Sequence, residues 1–258
     1  HFVLAKLDSV GNAPRPEAEP EVLVRRLSLA LNGLPPTIEE VDDFVEHYGR
    51  DRNLAVSKWV DELLERKQYG EHFAWGWMDA ARYADTNGYQ ADGERVMWRW
   101  RDWLIDSLNA GKPYDQMTRE MLAGDLLLPK SVQGWQTGDV IRDPESLDLL
   151  MATGFLRNHR YDTGSGTIPD ESRFENAADR LETFSTIWLG MTMQCARCHD
   201  HKFDPIPTRD YYSLMAFFDK IPEWGMAIRK ASHPFIYAPT DDQRLQLERL
   251  PMTSWVIR

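Results

Sequence analysis

Apolar residues recur at spacings of three and four along almost the whole chain, and glycine and proline cut that pattern into short pieces, so the sequence favours helix after helix. Residues 21–31 carry Leu23, Val24, Leu27, Leu29 and Leu31 among Arg25 and Arg26, and the pattern stops at Asn32-Gly33 and Pro35-Pro36. Thr37, with Glu40 three residues later, is a capping-box pattern that opens a second helix running to about residue 49. Further helices are expected at 54–66, 71–83, 96–109, 113–122, 144–156 and 177–194, with Tyr69-Gly70 separating the first two of these. An aromatic-rich helix follows at 210–218, and one short helix near 241–249. The stretches 85–95, 128–143 and 157–173 have no period and read as loops. The expected fold is therefore mainly α: an irregular multi-helix domain with long loops over residues 1–225, followed by an extended tail over 226–258.

The helix expected at 177–194 carries Leu181, Phe184, Ile187, Trp188 and Met191 on one face and leads into Cys195-Ala196-Arg197-Cys198-His199. Those are both of the chain's 2 cysteines. Cys-x-x-Cys-His is the spacing of a c-type haem attachment site: two thiols three residues apart can add across the two vinyl groups of one haem, and the following imidazole ligates the iron. Cys195 and Cys198 are thus the candidate anchors of one covalent haem c, and His199 its proximal iron ligand. Two other chemistries share the spacing. A zinc site needs a second ligand pair, which only His199 and His201 could supply in a cramped local loop. A thioredoxin-like dithiol expects a strand before the motif, where this sequence has a helical period.

The sixth iron position separates electron transfer from catalysis. His201 is too close in sequence to His199 to reach the opposite face of a haem, and is expected to hydrogen-bond a propionate or to orient a neighbour. Met191 and Met193 are expected in the core. His159, in the irregular stretch Arg157-Asn158-His159-Arg160, is the candidate distal ligand, against an exposed loop histidine. Asp200 and Asp204 are expected to pair with Arg197 or Lys202. The loop from Asp85 to Asp92 gathers oxygen ligands that could suggest calcium, although it lacks EF-hand spacing and a solvated turn with side-chain hydrogen bonds is the preferred reading. Trp98, Trp100 and Trp103 cannot share one helix face, and ordinary core packing is favoured for them over a haem edge.

Composition narrows the partners. With 42% hydrophobic residues, 10 Trp, 10 Phe and 9 Tyr, the chain has ample material for a core. Its formal charge of −11 argues against nucleic acid and anionic membrane surfaces. The longest apolar stretches, around 147–156 and 184–193, fall well short of the roughly 20 residues of a membrane span. The chain starts at His1 rather than at a methionine, so a start removed by processing or by trimming is expected, and a signal peptide could have gone with it. Covalent haem implies maturation outside the cytoplasm, so a periplasmic or extracellular location is expected.

Several ordered blocks resemble the large secreted cytochrome-c-like proteins of planctomycetes. They are Arg25-Arg26-Leu27 with Leu31-Asn32-Gly33-Leu34-Pro35-Pro36-Thr37; Tyr69-Gly70-Glu71; Ala81-Arg82-Tyr83-Ala84-Asp85-Thr86-Asn87-Gly88-Tyr89; Ala123-Gly124-Asp125; and Cys195-Ala-Arg-Cys-His-Asp-His-Lys-Phe-Asp-Pro-Ile. The resemblance spans about residues 1–225 and implies a cytochrome-c-like domain, secretion and an electron-transfer or oxidoreductase role. Members of that family are usually longer, so the chain resembles the haem-type domain without the usual downstream domain. It departs from the family at Gly76, where a histidine is frequent, and at Thr163-Gly164-Ser165-Gly166, where Gly-Glu-Gly-Gly is frequent.

Three functions follow as expectations. The first is an exported mono-haem c-type protein that passes electrons to a redox partner. The second is a haem-dependent oxidoreductase acting on an unknown substrate such as a saccharide, with the acidic loop at 85–92 contributing. The third is a structural or accessory subunit of a larger extracytoplasmic or membrane-associated assembly.

Overall fold

The computed structural model describes residues 1–88, 92–161, 166–225 and 233–249. Among them the chain is mainly α, with eleven α-helices, short 3₁₀ turns and no strand beyond two isolated bridges, Thr86 with Glu94 and Val140 with Tyr237. It divides into two compact units, His1–Phe73 and Ala74–Arg258.

In the first unit, α1 (Phe2–Ser9) buries no residue, whereas α2 (Pro20–Asn32), α3 (Ile38–Arg50) and α4 (Arg52–Leu64) pack on one another. Their shared core is Val24, Phe44, Ala55, Trp59 and Leu63. The stop signal reads as expected, because Gly33 ends α2 in the left-handed region at φ 70° and lies against the His72 ring, 2.6 Å from where a Cβ would stand. The capping box is realised: Thr37 Oγ1 accepts from Glu40 N at 3.2 Å, and Glu40 Oε2 accepts from Thr37 N at 2.8 Å. One boundary differs from expectation. α5 (Lys67–Ala80) starts before Tyr69-Gly70 and runs through it, since a single interior glycine costs only about 1 kcal/mol against alanine.

The second unit holds α6 (Trp98–Asn109), α7 (Tyr114–Ala123), α8 (Pro144–Ala152), α9 (Pro169–Phe184), α10 (Thr208–Met215) and α11 (Asp241–Arg249). One of its cores takes Ala74 and Ala81 with Trp100, Trp103, Leu104, Met117, Met121, Ala152 and Phe155, so Trp100 and Trp103 are core residues while Trp98 lies half-buried under Arg99. Close approach needs Gly124, where an added Cβ would overlap the Leu149 carbonyl oxygen of α8. A second core takes Ala177, Ala178 and Leu181 of α9, Met193, Ala196, Ile206, and Tyr211, Met215 and Phe218. This core carries the cysteine motif on its edge.

Two expectations about α9 are corrected. The helix begins at Pro169, inside the stretch read as irregular, because Pro169 fits the first helical turn and Asp170 and Glu171 favour that end of the dipole. It also does not run into Cys195. A π-helical turn, Ser185–Leu189, ends at Gly190 with φ 63°, and Met191 N returns to Ser185 O at 3.1 Å.

Candidate functional site

The motif occupies a 3₁₀ turn, Gln194–Arg197, followed by a closed loop. Cys198 N donates to Cys195 O at 3.3 Å, and Ala196 N to Met193 O at 2.8 Å. Between the two cysteines the chain turns inward and outward in alternation. Ala196 is fully buried in the core and Met193 nearly so, whereas Cys195, Cys198 and His199 are exposed. Both thiols are free. The turn is anchored at three places. Arg197 forks onto the Glu175 carboxylate of α9, with Nη1 to Oε2 at 2.9 Å, and its guanidinium lies 4.9 Å over the Phe174 ring. The Arg197 carbonyl accepts from Tyr212 Oη of α10 at 3.0 Å. Asp200 Oδ1 accepts from Thr208 N at 2.8 Å and so caps the start of α10 from outside the helix.

His199 has a defined ring state. Its Nδ1 lies 2.8 Å from the Asp200 carbonyl, which can only accept, so Nδ1 carries a hydrogen and Nε2 is the nitrogen left to ligate in the neutral ring. His201 is held differently: Nδ1 accepts from Asp204 N at 2.9 Å, and His201 N donates to Ile206 O at 2.9 Å, closing the loop ahead of Pro207. His201 and Asp204 thus fasten the loop, and the expected pairing of Asp200 and Asp204 with Arg197 or Lys202 gives way to Thr208 N for Asp200, His201 for Asp204 and Glu175 for Arg197. Among the described residues, no three or more His, Cys, Asp or Glu side chains gather in a way that could hold a metal ion. The four side chains that the competing zinc reading would need, Cys195, Cys198, His199 and His201, are not gathered into such a group. In the 85–92 loop, Asp92 Oδ1 accepts from Gly88 N at 2.7 Å and Asp85 Oδ1 from Tyr83 Oη at 2.6 Å, so side-chain hydrogen bonds hold the described part of this turn. Tyr89 of that loop and Thr163–Ser165 lie outside the described residues.

His159 is neither exposed nor open to a ligand in this arrangement. It is 2% exposed; Nδ1 faces the Arg160 carbonyl at 3.1 Å and Nε2 meets Arg180 Nη2 at 2.6 Å. Burial, then the Arg180 and Arg157 charges, push its pKa well below the usual histidine value, so the ring is neutral and Nε2 accepts from Arg180. The 3.7 Å approach of Nε2 to Glu223 Oε2 is accordingly not an ion pair. Distal ligation would require His159 to release Arg180. Around it stands a polar cluster that the sequence reading missed. Arg180 forks onto Glu223 at 2.7 and 2.6 Å and donates through Nε to Leu156 O at 2.7 Å, and Tyr161 Oη reaches Glu223 at 3.3 Å. Arg95 donates to the His159 carbonyl at 2.8 Å, and burial lowers its pKa to about 10. The available signal was Arg180 itself, one residue before Leu181 and two after Ala178 on the buried face of α9.

Fold and site together define a mainly α protein that displays a Cys-x-x-Cys-His turn at its surface. A family model matches residues 1–223, and the chain belongs to that family, PSCyt2, described as a protein of unknown function (DUF1549). No curated protein and no solved structure matches the chain.

Proposed function

We propose that the domain carries one covalent haem c on Cys195 and Cys198, with His199 as the iron ligand, and that it relays electrons outside the cytoplasm. The observation that carries this reading is the donor set: two free, exposed thiols on one turn, beside an imidazole whose Nδ1–H is committed to the Asp200 carbonyl and whose Nε2 lone pair is available. Bound haem supplies an iron that cycles between two oxidation states. The chain's own part is mechanical and electrostatic. Each thiol would add across a vinyl group, sulfur bonding one carbon and its hydrogen passing to the other. Buried Ala196 and the Arg197–Glu175 fork anchor the turn that carries the two exposed thiols, and the Asp200 carbonyl holds the Nδ1–H of the imidazole. Exposed Met191, Phe203 and Tyr212, neighbours of the motif in sequence or through the Tyr212–Arg197 bond, supply apolar surface of the kind a porphyrin covers. The test is the reduced pyridine haemochrome spectrum of chain exported together with a haem-attachment system. The spectrum of a bis-thioether haem supports the reading, and its absence removes it.

A second reading, an accessory subunit, is favoured by Phe203 and Phe217, which are 82% and 79% exposed. Side chains this apolar and this open suit a surface that a larger assembly covers.

A further inference from the structure

In the second unit a row of aromatic rings runs from the core of the cysteine motif to an exposed carboxylate. Phe184 packs on the core that holds Ala196 of the motif, and stacks on Trp188 with ring centroids 5.5 Å apart. Trp188 meets Phe155 edge to face at 5.0 Å, Phe155 meets Trp100 of α6 at 6.2 Å, and Trp100 stacks on Tyr83 at 6.1 Å. A single phenyl ring thus separates the two indoles. Tyr83 ends the row: its Oη donates to Asp85 Oδ1 at 2.6 Å, the length of a hydrogen bond to an ionised carboxylate, and Asp85 is exposed.

The polar atoms along the row suit one-electron chemistry. An oxidised indole becomes a weaker oxidant once it sheds its N–H proton. Trp100 is 2% exposed and its Nε1 meets no acceptor among the described residues, so that proton has no base to take it. Trp188 Nε1 donates to the Thr118 hydroxyl at 3.0 Å, which is a very weak base. Of these rings, Tyr83 is the one whose proton meets a carboxylate. Burial and then the Asp85 hydrogen bond raise its pKa, so the phenol is protonated at rest and its oxidation must release that proton.

We infer that Tyr83 is a redox-active tyrosine, supplied through Trp188 and Trp100 with oxidising equivalents that arise at the motif, and that Asp85 is its proton acceptor. In the final step the Trp100 radical cation takes one electron from Tyr83 and returns to neutral indole. The Tyr83 O–H bond breaks and its proton passes to Asp85 Oδ1, leaving a neutral tyrosyl radical beside a carboxylic acid. The oxidant required is a strong one, of the class formed when a peroxide reacts at a haem iron. Only this source rests on the haem reading, and a different oxidant placed on the same turn tests the row without haem, so the two can fail separately.

A ruthenium polypyridyl photosensitiser on Cys198 of the full haem-free chain carrying Cys195→Ser supplies that oxidant by flash excitation with a soluble electron acceptor. Transient absorption and electron paramagnetic resonance are expected to show a tryptophan radical that gives way to a tyrosyl radical. Tyr83→Phe should abolish the tyrosyl signal. Tyr114→Phe should leave it, although Trp77 links exposed Tyr114 to Trp188 at 6.3 and 6.1 Å. Trp100→Phe keeps a ring but one too hard to oxidise, and should lower the tyrosyl yield at least tenfold while circular dichroism shows the helices unchanged. Asp85→Asn alters an exposed side chain and so guards against a fold defect in Trp100→Phe; it should slow tyrosyl formation at least tenfold. No tyrosyl radical, a signal that survives Tyr83→Phe or disappears in Tyr114→Phe, or an unchanged yield in folded Trp100→Phe or rate in Asp85→Asn would overturn the inference.

Discussion

Glu223→Gln should destabilise the second unit severely. Arg180 and Glu223 are 2% and 3% exposed in their side chains and joined by two hydrogen bonds, so the substitution keeps the shape while removing the only carboxylate that touches Arg180 among the described residues. Two unit charges about 4 Å apart attract by about 4 kcal/mol at an effective dielectric of about 20. Breaking a buried pair from one side typically costs about 3–5 kcal/mol, because the remaining charge stays buried and unbalanced. Arg95 lies in the same cluster and also carries positive charge, which adds to the imbalance. For a unit of this size each kcal/mol lowers the melting temperature by about 2–4 °C, so a fall of about 6–20 °C is expected. Differential scanning calorimetry gives the shift, and hydrogen exchange of the α9 peptides assigns it to this unit. A fall of less than about 2 °C would refute the reasoning, since it would mean that Arg180 does not depend on Glu223 for its charge balance.

Other outcomes follow from the same contacts. His159 has a folded pKa below its unfolded value of about 6.5, so the unfolded chain binds more protons as pH falls through that value; stability should be unaffected by this group above about pH 6.5 and fall below it by up to about 1.4 kcal/mol per pH unit. Urea titrations across pH 5–7 check this, and His159→Asn should flatten that share of the slope. Gly124→Ala should cost more than about 2 kcal/mol, because the added Cβ meets the Leu149 backbone carbonyl, which cannot swing aside; thermal melts measure it. Asp200→Ala should cost about 1 kcal/mol through the lost cap on α10, and should raise hydrogen exchange at the start of Thr208–Met215.

Most helices could be read from the sequence because their signals are local. The capping box at Thr37 and Glu40, the Gly33 stop and the short helix at Asp241–Arg249 each depend on residues within one or two turns. The start of α9 was hidden because Pro169-Asp170-Glu171 is as polar as a loop, and its end because Gly190 sits inside the apolar run from Ile187 to Met191. At the motif, Cys195, Cys198 and His199 stand out by spacing alone, but the roles of Asp200 and His201 come from backbone partners 8 and 3 residues away. The Arg180–Glu223–His159 cluster was out of reach for a plainer reason. Its members are 43 and 21 residues apart and no periodic pattern links them.

The central claim is that Cys195 and Cys198 hold haem through carbon–sulfur bonds. Intact-mass spectrometry under denaturing conditions, on chain exported with a haem-attachment system, tests it directly. The account predicts an increase of one haem over the polypeptide mass, lost in the Cys195→Ala/Cys198→Ala variant. A polypeptide of unmodified mass with both thiols still alkylatable would contradict it.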